Sequence, residues 1–255
     1  VTAGGLIGTI ASVKDKIVVV TGAAKGNGKT IADSFVRAGS IVCYIDLLDA
    51  VRDNAKVDKT GRSKSYIVDL TNENQVFQFI ESLKNVDVLI NNAGITLSPD
   101  ESNKLANWNR TISVNLTTVY NLSRQIAELM IRNRGGSIIS ITSISSYLGS
   151  AGNPSYHASK GGLRYLTMSL AADYARFNIR VNNICPGYMK TDMTKNSYLD
   201  ENKRKIISDR TMLGRWGESQ DLVGACMFLA SEASSYVTGS DILVDGGLIN
   251  KGLDL

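Results

Sequence analysis

The chain has 255 residues, a formal net charge of +4, 43% hydrophobic and 20% charged residues, ordinary values for a soluble globular protein. No apolar stretch reaches the ~20 residues of a membrane span, and no Lys/Arg block makes a nucleic-acid footprint. The three cysteines, Cys43, Cys185 and Cys226, are far apart and set among apolar residues, which argues for reduced thiols and a cytoplasmic location. His157 is the single histidine and has no partner at metal-site spacing, so no metal site is expected.

In chain order, residues 1–14 read as an N-terminal extension without the basic start and apolar run of a signal peptide. Residues 15–255 read as one domain. Lys16 to Thr21 is a β-branched run ending at Gly22, and Gly26 to Ala38 carries a helical apolar stripe. Further strands are expected at Ile41 to Ile45, Ser65 to Val68, Asp87 to Ile90, Ser137 to Ile141, Ile179 to Ile184 and Ile242 to Val244. Helices are expected at Asn74 to Leu83, Leu105 to Asn133, Ser155 to Phe177 and Ser219 to Ser231. Near-continuous apolar strands separated by helices predict an α/β fold, a doubly wound parallel sheet covered on both faces. The basic residues Lys203, Arg204 and Lys205 read as a solvated helix face. They lie in a stretch of weak strand signal, Tyr188 to Gly217, which follows the carboxyl end of the sixth strand, where open α/β sheets bind ligands.

Thr21-Gly22-Ala23-Ala24-Lys25-Gly26-Asn27-Gly28 joins the first strand to the first helix. Glycines there let the backbone approach a pyrophosphate, which the helix N-terminus then receives. Asp46 ends the second strand, at the distance beyond Gly28 where a carboxylate binds ribose hydroxyls and repels the extra phosphate of NADP. Lys25 pulls the other way, since a cation in the glycine loop can pair with that phosphate. A carboxylate–phosphate clash is hard to offset with one flexible lysine, so NAD is the expected cofactor, ahead of NADP.

Tyr156 and Lys160 stand at i and i+4 and share a helix face. A nearby ammonium favours the phenolate, and a tyrosine so tuned exchanges a proton with an alcohol or carbonyl. Ser143, at the end of the fifth strand, can reach the same pocket.

With these residues in place, the chain resembles the short-chain dehydrogenase/reductase family, in its single-domain YxxxK subgroup. The resemblance runs from about Asp15 to Leu248. It is carried by the glycine loop, by NNAG at Asn91 to Gly94, by VNL at Val114 to Leu116, and by Ser143 at family spacing ahead of YHASK at Tyr156 to Lys160. It continues through PGYMKT at Pro186 to Thr191, LGRWG at Leu213 to Gly217 and VTGSDILVDGG at Val237 to Gly247.

The resemblance implies roles. Tyr156 would be the general acid/base, Lys160 would lower its pKa and bind the nicotinamide ribose, and Ser143 would polarise the substrate oxygen. Asn115 would help hold a proton-relay water beside Lys160. Gly22, Asn27 and Gly28 would hold the pyrophosphate, and Asp69 and Leu70 would meet the adenine. Asn91, Ala93 and Gly94 would line the adenosine and ribose side, and Pro186, Gly187, Met189 and Thr191 the nicotinamide. The substrate would meet Ser145, Asn153 and Tyr188. A homotetramer is implied as well.

The tail resembles gluconate and polyol dehydrogenases, so a small-molecule sugar acid or polyol is the leading substrate, interconverted between secondary alcohol and ketone. The alternative is a 3-oxoacyl-thioester or other small-ketone reductase using NADP. The polar stretch from Asp192 to Met212 disfavours a steroid or a long acyl chain. Two departures stand out. The interval from Asp46 to Ser65 is shorter than is usual in the family, so the helix within it is expected to be truncated, and the lead-in to DVLI lacks a glycine turn.

Overall fold

The computed structural model describes residues 10–252 except 57 and 98–103. Seven strands form one parallel sheet: β1 (Ile17–Thr21), β2 (Ile41–Asp46), β3 (Ser63–Ile67), β4 (Val88–Asn91), β5 (Gly136–Ile141), β6 (Ile179–Pro186) and β7 (Asp241–Val244). Their order across the sheet is β3-β2-β1-β4-β5-β6-β7, with every pair parallel. The order reverses direction between β1 and β4, which opens a crevice at the carboxyl ends of these strands.

Side chains alternate along each strand, so β1 feeds two cores. Val18 and Val20 pack with Ile31 and Phe35 of α1 (Gly26–Arg37), and with Cys226 and Leu229 of the helix α9 (Val223–Ala230). Val19 faces the other layer, with Val76 and Ile80 of α3 (Glu73–Glu81), Ile126 and Met130 of α5 (Thr118–Arg132), and Leu170 of α6 (Pro154–Tyr174). This doubly wound arrangement is the one expected from the apolar runs. The core also reaches into the N-terminal extension, because Val13 is buried and its carbonyl accepts from Ser40 Oγ at 2.7 Å.

The helix expected between β2 and β3 is indeed short: α2 spans only Val51–Lys56. The lead-in to β4 is pinned without glycine, since Asp87 Oδ2 accepts from the Ile17 N–H at 2.7 Å. The helix expected over 105–133 is interrupted: α4 (Leu105–Ile112) passes through a π-helical segment, Ser113–Thr117, before α5 begins. The stretch after β6 contains α7 (Lys195–Leu199) and α8 (Glu201–Arg210). The basic cluster lies on α8, which buries no residue, as a solvated helix would. The three cysteines are free and buried in separate places, on β2, β6 and α9, and burial pushes their thiols up to about 11, 11 and 12.

Candidate active site and cofactor cleft

A cavity of about 450 Å³ lies at the carboxyl ends of the central strands. Asp46 and Asp69 stand on its wall with the glycine loop, and so do Ser143, Tyr156 and Lys160.

The glycine loop is built by backbone contacts. Gly22 has φ +66°, and a Cβ there would lie 2.9 Å from the Ala93 Cα. A Cβ on Gly28 would lie 2.1 Å from the Gly22 carbonyl oxygen, so only glycine lets α1 pack this close to β1. Thr21 Oγ1 accepts from the Asn92 and Ala93 N–H groups at 3.0 Å each, tying the ends of β1 and β4 together. The 12-residue α1 begins in this loop, and Gly26 keeps its first turn bare. Asp46 Oδ2 accepts from Ala24 N–H at 2.9 Å and Oδ1 from Leu48 N–H at 3.0 Å, which orients the carboxylate. A backbone cradle at a helix N-terminus, with a fixed carboxylate on the same cavity wall, fits a dinucleotide's pyrophosphate and ribose.

Tyr156 and Lys160 stand on α6 because Asn153 and Pro154 start that helix: Asn153 Oδ1 accepts from Tyr156 N–H at 3.3 Å, and proline occupies the first turn. Ser143 sits in extended backbone after β5, and its Oγ accepts from Ser145 N–H at 3.1 Å. Lys160 Nζ donates to Ile141 O at 2.8 Å and lies 5.8 Å from the Tyr156 ring centroid. Burial holds the Lys160 ammonium down at about 8. Burial also pushes the Tyr156 phenol above its ordinary value, and the Ser143 hydroxyl only partly opposes this. Desolvation thus sets the direction at Tyr156, opposite to the lowering expected from an adjacent ammonium.

Gly22, Lys25, Asn27, Asp46, Asp69 and Leu70 line the cavity as expected, as do Ala93, Gly94, Pro186, Gly187, Met189 and Thr191. Gly28 lies behind the wall as a packing residue. Asn91 is not on this wall: its amide donates to Ser123 Oγ at 3.0 Å, while Asn92 lines the cavity. Asn115 also lies behind the wall, beside Lys160; a Cβ on Gly94 would meet Asn115 Oδ1 at 3.3 Å and Lys160 Nζ at 3.6 Å.

The three expected substrate residues are not on this wall. The Asn153 amide donates to Thr96 Oγ1 at 2.7 Å, and the Ser145 carbonyl faces His157 Nδ1 at 3.3 Å. Tyr188 packs against Trp216 and faces a second cavity of about 480 Å³, separated from the first by Gly187 and Met189. Asn153 caps a helix, the Ser145 backbone closes a turn and the Tyr188 ring packs on Trp216, contacts that residue type alone does not reveal. His157 Nε2 contacts Ser150 Oγ at 2.8 Å, and no group of three His, Cys, Asp or Glu among the described residues could hold a metal.

Two supporting residues escaped the sequence reading. Asn54 on the short α2 donates to the Ala23 and Ala24 carbonyls at 3.1 and 2.8 Å, and Ser219 Oγ donates to Asn27 Oδ1 at 2.7 Å. Both brace the glycine loop from elements remote in sequence, and no local motif marks them. Lys25 Nζ lies 3.1 Å from Asp192 Oδ2, at the start of a short turn after β6.

The chain is similar to known proteins along most of its length. Residues 22–249 match the family described as Enoyl-(Acyl carrier protein) reductase. The 3-oxoacyl-[acyl-carrier-protein] reductase of Thermotoga maritima is 36% identical over 243 residues, covering 92% of this chain and 98% of that protein. The gluconate 5-dehydrogenase of Gluconobacter oxydans is 34% identical over 239 residues, covering 90% and 93%. The crystal structure of a gluconate 5-dehydrogenase from Burkholderia cenocepacia, in complex with NADP and tartrate, superposes with a TM-score of 0.88. That match is 31% identical and covers 95% of this chain and 98% of that one. With a parallel sheet, a glycine cradle and a Ser–Tyr–Lys set all in place, the chain belongs to the short-chain dehydrogenase/reductase family of oxidoreductases.

Proposed function

We propose that the protein interconverts the secondary alcohol and ketone of a sugar acid with NAD(H). The observation that carries the chemistry is the placement of Ser143, Tyr156 and Lys160 on the wall of the cavity that also holds the glycine cradle and Asp46. When bound, the nicotinamide cofactor supplies or accepts the hydride. Ser143 holds the substrate oxygen by a hydrogen bond. Tyr156 gives its phenolic proton to the ketone oxygen in reduction and takes the hydroxyl proton in oxidation. Lys160, anchored on Ile141 O, binds the nicotinamide ribose and carries the charge that opposes the burial of the phenol. Asn115, packed beside Lys160, holds the relay that returns the proton to solvent.

The substrate class rests on relatives and on polarity. The Gluconobacter relative acts on gluconate, and the Burkholderia structure holds tartrate, itself a hydroxy acid. The polar segment after β6 borders the cavity through Asp192 and Thr194. NAD is supported by Asp46, whose oriented carboxylate would stand against a ribose phosphate. The NADP of the Burkholderia relative and the acyl reductase relative favour the second reading, a 3-oxoacyl-thioester reductase with NADP.

A homotetramer accompanies this reading. Leu105, Tyr120, Tyr165 and Met168 are exposed apolar residues on α4, α5 and α6, the helices that family likeness puts at one interface. A size-exclusion mass near one subunit would overturn it. The three free buried cysteines fit a cytoplasmic protein.

The deciding experiment is the initial rate of cofactor reduction at mildly alkaline pH on gluconate, other sugar acids, hexitols and 3-hydroxyacyl thioesters, each with NAD and NADP. Turnover of a sugar acid with NAD supports the proposal. Turnover confined to thioesters with NADP replaces it with the acyl reductase reading.

A further inference from the structure

The Lys25–Asp192 ion pair ties the glycine loop to the turn after β6, and both residues line the cofactor cleft. The backbone that carries Asp192 is held in place. Asp192 opens a turn whose ends are closed by Thr191 and Thr194, with Thr191 N–H donating to Thr194 Oγ1 at 3.1 Å. The loop and the turn also approach each other directly, since a Cβ on Gly26 would come within 3.8 Å of Thr191 Cγ2. Lys25, by contrast, is a charge on a flexible four-carbon stem at the start of α1. It is the cation of the glycine loop, and here its ammonium is directed towards Asp192.

We propose that Asp192 is a cofactor-specificity residue: by holding Lys25 it withholds that cation from a ribose 2′-phosphate and weakens NADP binding. The inference rests on the NAD reading above and adds a second device to Asp46. Asp46 repels the phosphate directly, whereas Asp192 occupies the group that would attract it. A ribose lacking the phosphate gains nothing from a freed Lys25, so the effect falls selectively on NADP. Both side chains are more than half exposed (61% and 70%), which makes the pair weak and sensitive to salt, and sets the effect at a few-fold rather than orders of magnitude.

The test is calorimetric titration of NADH and NADPH into wild type, Asp192→Asn, Lys25→Ala and the double variant at low ionic strength. Asp192→Asn is expected to tighten NADPH about three- to fivefold more than NADH, on the scale of an exposed ion pair. In the Lys25→Ala background the same change is expected to leave the ratio of the two dissociation constants within about 1.5-fold, since no cation remains to be released. An unchanged ratio in Asp192→Asn overturns the proposal. So does a rise that persists without Lys25, which would assign the effect to the lost negative charge or to another cation of the cleft, such as Arg110. The wild-type ratio alone tests the NAD reading, so the two ideas fail separately.

Discussion

The side chain of Asn115 pairs with the backbone of Ile95 as a neighbouring strand would: Asn115 Oδ1 accepts from the Ile95 N–H at 2.8 Å, and Asn115 Nδ2 donates to the Ile95 carbonyl at 2.9 Å. The same amide nitrogen donates to Ser159 Oγ at 3.1 Å, immediately before Lys160. Asn115 is fully buried and sits in the π-helical segment, a widened turn of the kind often found at functional sites. One side chain therefore joins the loop after β4, the α4–α5 rod and α6. Replacing Asn115 with Ala would take the side-chain partners from the Ile95 N–H and C=O, at the edge of the cleft, and leave a cavity at a fully buried position. We expect a stability loss of about 2–4 kcal/mol by urea denaturation.

Tyr156→Phe removes the proton donor and leaves the ring in place. Turnover is expected to fall by about 10²–10⁴-fold, with the NADH dissociation constant within about twofold of wild type. The sign of the pH dependence follows from the raised phenol. Because its pKa lies above the ordinary value near 10, the base form is scarce at neutrality and grows with every pH step. Alcohol oxidation, followed as kcat/KM, should therefore rise from pH 7 to 9 without a plateau. Ketone reduction needs the protonated phenol, which persists over that range, and should fall only as Lys160 loses its charge above about pH 8.

Lys160 costs stability to keep. Its ammonium is buried and its pKa is held at about 8, against 10.5 when free, so burying the charge costs roughly 3 kcal/mol at neutral pH. Lys160→Met removes that cost and gives up one hydrogen bond to Ile141. Setting the lost hydrogen bond against the relieved charge, a net gain of roughly 1 to about 2 kcal/mol at pH 7 is expected, together with loss of turnover. Between pH 8 and 10.5 the folded wild type binds fewer protons than its unfolded chain, so wild-type stability rises with pH. The variant's advantage should shrink over that interval, as denaturation at pH 7, 8.5 and 10 would show.

Gly28 and Gly26 separate packing from strain. A methyl on Gly28 meets the Gly22 carbonyl oxygen at 2.1 Å and the Asn92 amide nitrogen at 2.5 Å. Gly28→Ala must push α1 off the sheet and is expected to cost about 2–3 kcal/mol and to weaken NADH binding more than about tenfold. Gly26 has φ +55° but open space, with Thr191 no nearer than 3.8 Å. Gly26→Ala should cost only the left-handed backbone penalty, about 1–2 kcal/mol. Melting temperatures and cofactor titration of both variants distinguish the two.

The central strands were legible because they are apolar runs enclosed on both faces, as in Ile17–Thr21 and Val88–Asn91, whereas the edge strand β3 (SKSYI) is polar and partly exposed. The helix α8 was legible only through its charged cluster Lys203 to Lys205, because it buries nothing and leaves no apolar stripe to mark its ends. The π-helical segment leaves no mark either, since inserting a wide turn into a helix changes hydrogen bonding and not residue type. At the site, Tyr156, Lys160, Ser143 and Asp46 could be placed by spacing. Asn91 and Asn92 could not be told apart, because which of two adjacent amides faces a cavity depends on strand pleat and on the partner Ser123. Asn153 and Ser145 were read as substrate contacts; the Asn153 amide here donates to Thr96 and the Ser145 backbone N–H to Ser143, neighbours that spacing along the chain does not show.

The three buried thiols turn the molecule into its own reporter of breathing. Cys43 sits on the β2 side of the sheet, Cys185 on β6 beside Thr142 and the substrate end, and Cys226 on the outer helix α9. None reacts while shut in, because each is inaccessible and held as the neutral thiol. The rate at which a colorimetric thiol reagent labels each one then measures how often that district of the protein opens. A cofactor that clamps the central cleft should slow the clock at Cys185 and leave the one at Cys226 running at its former pace.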